Sequence, residues 1–146
     1  MLLKDFELQA KNNPQKVALI SFNESISFGD LAAKSTRLAD FLKSSEVNEV
    51  IGIYDAGSVK HFISMLACLK AKQPFINLDM YAPELYNEKI ISRMNVRTVI
   101  INSYANGQDF SNYHKVNVEQ LLQNNDQPVI VKSRNSKAAA AYFVAT

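Results

Sequence analysis

Apolar and polar positions change period several times along this chain, and each change marks an element. Leu3, Phe6 and Ala10 recur at helical spacing, which predicts a short amphipathic helix over residues 1–13, ended by Asn12, Asn13 and Pro14. Residues 17–22 and 25–28 are β-rich runs on either side of Asn23 and Glu24, which predicts a peripheral hairpin. Ser27 is placed to cap a following helix by accepting the backbone N–H three residues on, while Asp30 reaches back toward it. Leu31, Leu38 and Leu42 hold one face of that helix to about Ser45. Residues 50–54 are apolar on both pleat faces, as in a strand covered on two sides. After Gly57 and Ser58, a second helix carries Val59, Phe62, Ile63, Leu66 and Leu69 as its expected stripe. Residues 74–78 read as a strand. Pro83 fits the first turn of a helix striped by Tyr86, Ile90 and Met94, and residues 99–101 read as another strand.

Helices alternating with apolar strands at these lengths define an α/β fold, a mainly parallel sheet with flanking helices. Beyond Ser103 the pattern weakens. A short strand or helix is expected around 116–122 and an apolar run stands at 129–132, with surface loops over 123–127 and 133–137 on composition. The final run, 138–146, reads as a buried strand that stops at Thr146 with no polar tail. Complete domains usually finish in solvent, so the chain is expected to be the amino-terminal piece of a larger enzyme.

Composition narrows the function classes. A length of 146 residues suits one domain, and 47% apolar with 21% charged residues is an ordinary globular balance. The formal charge of +2 comes from scattered residues and gives no strong field for a polyanion, so nucleic acid is not favoured. No apolar stretch approaches the ~20 residues of a membrane span, and the start lacks the pattern of a secretory signal. A cytoplasmic location is expected. The single cysteine, Cys68, cannot form an internal disulfide and lies beside an apolar stripe, where buried packing is the expected role.

Some residues invite chemistry. Ser58 and His61 could be drawn as nucleophile and base, but no orienting acid or oxyanion donors accompany them. The plainer expectation is that Ser58 caps the helix and His61 lies on its solvated side. Glu84 and Glu88, one turn apart, could reach a metal, yet Lys89 and Arg93 follow, and acids early with bases late simply complement the helix dipole. Asp79 closes a strand at the end where such sheets place ligands; a turn or capping role is expected. The four glycines are isolated, and none sits in a phosphate-loop frame.

Three stretches carry a resemblance. The first is Ile26-Ser-Phe-Gly-Asp-Leu31 running into Ala32-Ala-Lys-Ser-Thr-Arg-Leu-Ala39. The second is Leu66-Ala-Cys-Leu-Lys-Ala-Lys-Gln-Pro-Phe-Ile-Asn-Leu-Asp79, and the third is Tyr142-Phe-Val-Ala-Thr146. Together they resemble the amino-terminal part of the adenylate-forming superfamily of acyl-CoA synthetases, luciferases and carrier-loading adenylation domains. They lean toward the amino-acid-activating branch, which includes the D-alanine–carrier protein ligases. The second stretch departs from the pattern at Lys72, where glycine is usual, and at Asn77, where proline is usual.

The resemblance implies that residues 1–146 are part of an N-terminal subdomain. It implies an intact enzyme that uses ATP and Mg²⁺ to activate a carboxylic acid, in all expectation an amino acid, and passes it to the thiol of a carrier protein or CoA. It places Thr146 at the opening of the phosphate-binding loop, as the one nucleotide-contacting position carried over, with no catalytic residue and no metal ligand. On this view the piece alone is inert, and its exposed edge near 142–145 favours self-association. The alternative is a free-standing α/β binding or regulatory module.

Overall fold

The computed structural model describes residues 2–45, 47–102, 107–123 and 144–145. Helix α1 (Leu2–Asn12) is followed by strands β1 (Val17–Ser21) and β2 (Glu24–Ser27), which pair antiparallel as a separate two-stranded sheet. Helix α2 (Phe28–Ser45) begins as its sequence predicts, with the Asp30 N–H donating to Ser27 Oγ at 3.1 Å. There follow β3 (Ile51–Asp55), α3 (Val59–Ala71), β4 (Phe75–Asp79), α4 (Glu84–Met94), β5 (Thr98–Ile101), β6 (His114–Asn117), α5 (Val118–Gln123) and β7 (Val144–Ala145). The weakly patterned region around 116–122 therefore holds both a strand and a helix. The apolar run at 129–132 and the residues Tyr142, Phe143 and Thr146 lie outside the described residues.

The second sheet has the order β6-β5-β3-β4-β7, with every neighbouring pair parallel. Each central strand is covered on both faces. Ile51, Ile53, Phe75 and Ile100 enter one core with Leu38, Leu42, Ile63 and Ala67 from α2 and α3. Tyr54, Ile76, Leu78 and Val99 enter the other with Ile91, Val96 and Phe110. This two-sided burial is why residues 51–55 read as an unbroken apolar run rather than an alternating one. Gly52 lies on the second face, where an added Cβ would meet Leu78 at 2.8 Å, so close strand packing accounts for the glycine.

Two helix faces differ from the expected stripes. On α3 the buried face is Val59, Ile63, Ser64, Ala67 and Cys68, while Phe62 is exposed. The small residues Ser64, Ala67 and Cys68 are buried there, while the larger Phe62 is turned away. On α4 the buried residues are Asn87 and Ile91, and Tyr86 is exposed. Pro83 precedes the helix with extended backbone rather than lying in its first turn.

Lys72, where the resemblance expects glycine, closes α3 in the left-handed region at φ 55° and ψ 41°. Its N–H donates to the Leu69 carbonyl and that of Gln73 to the Cys68 carbonyl, a left-handed helix ending that glycine adopts without Cβ strain. Lys72→Gly is expected to stabilise the fold by about 0.5–1 kcal/mol, the relief of strain being partly offset by the freer unfolded chain. Urea unfolding at neutral pH measures it as a higher midpoint at unchanged slope.

No helix among the described residues is long and apolar enough to cross a membrane.

Candidate functional site

A cleft of about 290 Å³ opens at the carboxyl ends of β3, β4 and β5. The chain leaves β3 for β4 on one side and returns to β5 on the other, so the winding reverses between β3 and β5. Open parallel sheets place ligands at such a reversal. Asp55 and Ser58 form part of the wall, Asn102 comes from just after β5, and Met80 and Tyr81 from the turn after β4. The hairpin contributes Phe22 and Glu24. Phe22 and Tyr81 are exposed at 65% and 79%, giving the cleft an aromatic rim.

Asp55 organises the floor. It is buried, and its carboxylate accepts from the Ala56 N–H at 2.6 Å, the Ser58 N–H at 3.2 Å, the Ser58 hydroxyl at 2.8 Å and the Asn102 side-chain amide. The turn it closes contains Gly57 at φ 91°, a conformation that favours glycine. The Ser21 hydroxyl donates to the Gly57 carbonyl and ties the hairpin to the same turn. Sequence reasoning missed Asp55 and Asn102, because one polar residue closing an apolar strand carries no local signature.

Ser58 caps α3 as expected, accepting from the His61 N–H at 3.2 Å. His61 does not lie on the solvated side of the helix. Its ring is half-buried, Nδ1 accepts from the Gly57 N–H at 2.9 Å, and Nε2 lies 2.9 Å from Asn77 Oδ1. With Nδ1 used as an acceptor, the proton belongs on Nε2, which donates to Asn77. The Ser58 hydroxyl donates to Asp55 rather than to His61, so no nucleophile and base pair exists here.

Asp79 is a turn residue, as expected. Its Oδ1 accepts the Tyr81 N–H at 2.9 Å, and its backbone is held on both sides by the buried Asn87 amide, at 3.0 and 2.8 Å. Asn87 also donates to Gln108 at 3.0 Å, a buried polar role that helical periodicity does not register. Glu84 and Glu88 are both exposed on α4. Cys68 is fully buried, and burial pushes its thiol far up from the ordinary range, so it stays protonated and unreactive. Thr146 lies outside the described residues.

These groups do not fit a magnesium–nucleotide site. Among the described residues no three His, Cys, Asp or Glu side chains come together as a metal could require. The two carboxylates nearest the strand ends, Asp55 and Asp79, are occupied by the turns they close. What the arrangement does chemically is hold three strand ends and a helix start in fixed relation.

A parallel sheet with helices on both faces and a polar belt along its carboxyl edge defines the class as an open, parallel α/β fold. The family model described as AMP-binding enzyme matches residues 6–143, and the chain belongs to this family. Its relatives include the NRPS-like oxidoreductase fscA of Fusarium equiseti, 31% identical over 116 residues, covering 78% of this chain and 11% of that protein. The D-alanine–D-alanyl carrier protein ligase of Bacillus licheniformis is 29% identical over 104 residues, covering 70% of this chain and 21% of the relative. The chain thus spans a minor part of the curated relatives it matches. Among solved structures, the N-terminal subdomain of Klebsiella oxytoca NpsA superposes with a TM-score of 0.71 at 23% identity, covering 90% of this chain and 35% of that one. The adenylate-forming resemblance and the α/β fold drawn from the sequence are both upheld.

Proposed function

We propose that this chain is the amino-terminal part of the N-terminal subdomain of an ATP-dependent ligase that activates a carboxylic acid, in the first place an amino acid, as its acyl-adenylate. The acyl group then passes to a carrier-protein or CoA thiol, in the cytoplasm. The observation that carries this reading is the family match over residues 6–143, joined to a carrier protein ligase and a peptide-synthetase-like enzyme among the relatives. The chain's own part is scaffolding. The Asp55 turn and the β4–β7 pairing hold the sheet from which the phosphate loop, opened by Thr146, departs. ATP and Mg²⁺ act in the intact enzyme through residues other than those of the cleft. The isolated chain is inactive, and β7, which among the described residues pairs with β4 alone at one edge of the sheet, offers its other side to a second copy.

ATP–pyrophosphate exchange tests the reading. The complete gene product, assayed against a panel of amino and fatty acids, is expected to exchange label with at least one, and residues 1–146 alone with none. Silence of the complete product across the panel would overturn the ligase. A second reading, a free-standing α/β binding module, draws support from the two cores that already cover both faces of the sheet; it requires that same silence.

A further inference from the structure

The geometry points to His61 and Asn77 as a positioning pair that fixes the middle of β4, and through it β7, against the turn between β3 and α3. Both ring nitrogens of His61 are committed. One accepts from Gly57 in the turn and the other donates to Asn77 on the strand, each at 2.9 Å. The other end of the Asn77 amide lies 3.8 Å from Met65 Sδ, one turn further along α3. Asn77 is therefore held at both ends of its side chain by the same helix.

Strand β4 in turn carries β7, with Phe75 opposite Val144 and Ile76 opposite Ala145. The second of these pairs falls one residue before Asn77, so the side chain that anchors β4 lies beside the β7 pairing. The proline expected at this position from the second sequence stretch has no side-chain acceptor. The residue by which this chain departs from the pattern is thus the one that receives the histidine. The pair transmits the position of the Gly57 turn, and with it Asp55 and Asn102, across three neighbouring strands.

The functional half of this inference rests on the ligase reading. If β7 leads into the phosphate loop, the pair governs how well that loop is placed for ATP and leaves the acid pocket untouched. Asn77→Leu removes the acceptor at similar volume, and Asn77→Asp keeps it. In the 146-residue chain, amide hydrogen exchange at residues 144–145 is expected to accelerate about tenfold in Asn77→Leu, the loss of one part-buried hydrogen bond, and to stay near wild type in Asn77→Asp. Exchange at Leu38, in the α2 core, should not change in either variant. Nitrogen NMR of the His61 ring should show the proton on Nε2 in wild type and Asn77→Asp. Unchanged exchange at 144–145 in Asn77→Leu, or a proton on Nδ1, overturns the pair.

In the complete enzyme, Asn77→Leu is expected to raise KM for ATP about tenfold with KM for the acid unchanged, and Asn77→Asp to restore it. Equal changes in both constants, or none, overturn the link to ATP. If the wild-type enzyme exchanges no label with any acid, the ligase reading and the ATP link fall with it, while the exchange rates in the short chain still decide whether the pair holds β7.

Discussion

Asp55→Ala is expected to lower the stability of the chain by about 3–4 kcal/mol, because it strands several buried donors at once. The side-chain amide of Asn102, the Ser58 hydroxyl and the N–H groups of Ala56 and Ser58 all donate to this carboxylate. Each stranded donor costs about 1–3 kcal/mol where water cannot reach it, and those at the rim of the cleft recover part of that from solvent. Asp55→Asn should cost about half as much, since one oxygen remains to accept for the turn while its new NH₂ group faces that of Asn102. Urea unfolding followed by far-UV circular dichroism measures both. Near-equal midpoints for wild type and Asp55→Ala would show that the belt contributes little. The cleft should report the same change locally, through faster amide exchange at Ala56 and Ser58, whose N–H groups donate to the carboxylate.

Phe75→Ala is expected to cost ~3–5 kcal/mol, the range for deleting a buried aromatic ring that its surroundings cannot refill. Among the described residues Phe75 is the largest of the fully buried side chains, 1% exposed, at the first position of β4 and in register with Ile51 on β3. Its face of the sheet is sealed by α2 and α3, whose own buried residues are interlocked with it. Phe75→Leu keeps most of the volume and should cost less than about 1.5 kcal/mol. A calorimetric melting series across the two variants gives the comparison, and equal melting temperatures would show that the core on this face closes over the vacancy.

How far the sequence could be read depended on whether burial and hydrophobicity went together. They do in β3, where five consecutive buried residues leave an apolar run, and in α2, where Leu31, Leu38 and Leu42 mark the inner face. They part on α3, where the small residues Ser64 and Ala67 are buried and Phe62 is exposed. They part again on α4, where the innermost residue is the polar Asn87, satisfied by the backbone of Asp79. The cleft was legible only in its place at the strand ends. Asp55, Asn102 and the inward turn of His61 act through partners distant in sequence, Asn102 lying 47 positions from Asp55 and Asn77 lying 16 from His61. No local period encodes such meetings. Lys72 and Asn77 stood out beforehand as departures from a pattern, and what each does, a left-handed helix ending and a histidine partner, emerged only from geometry.

The β4–β7 pairing joins residues far more widely separated along the polypeptide than any other strand pair in the sheet. Closing so long a loop sacrifices more chain entropy than closing the shorter segment between β3 and β4, and slow formation of distant contacts is the general rule. During refolding, β3, α3 and β4 can assemble as a local unit, and β7 arrives afterwards on a surface already made. Strand β7 is thus expected to be the latest to dock and the earliest to peel away, leaving the body beneath it folded.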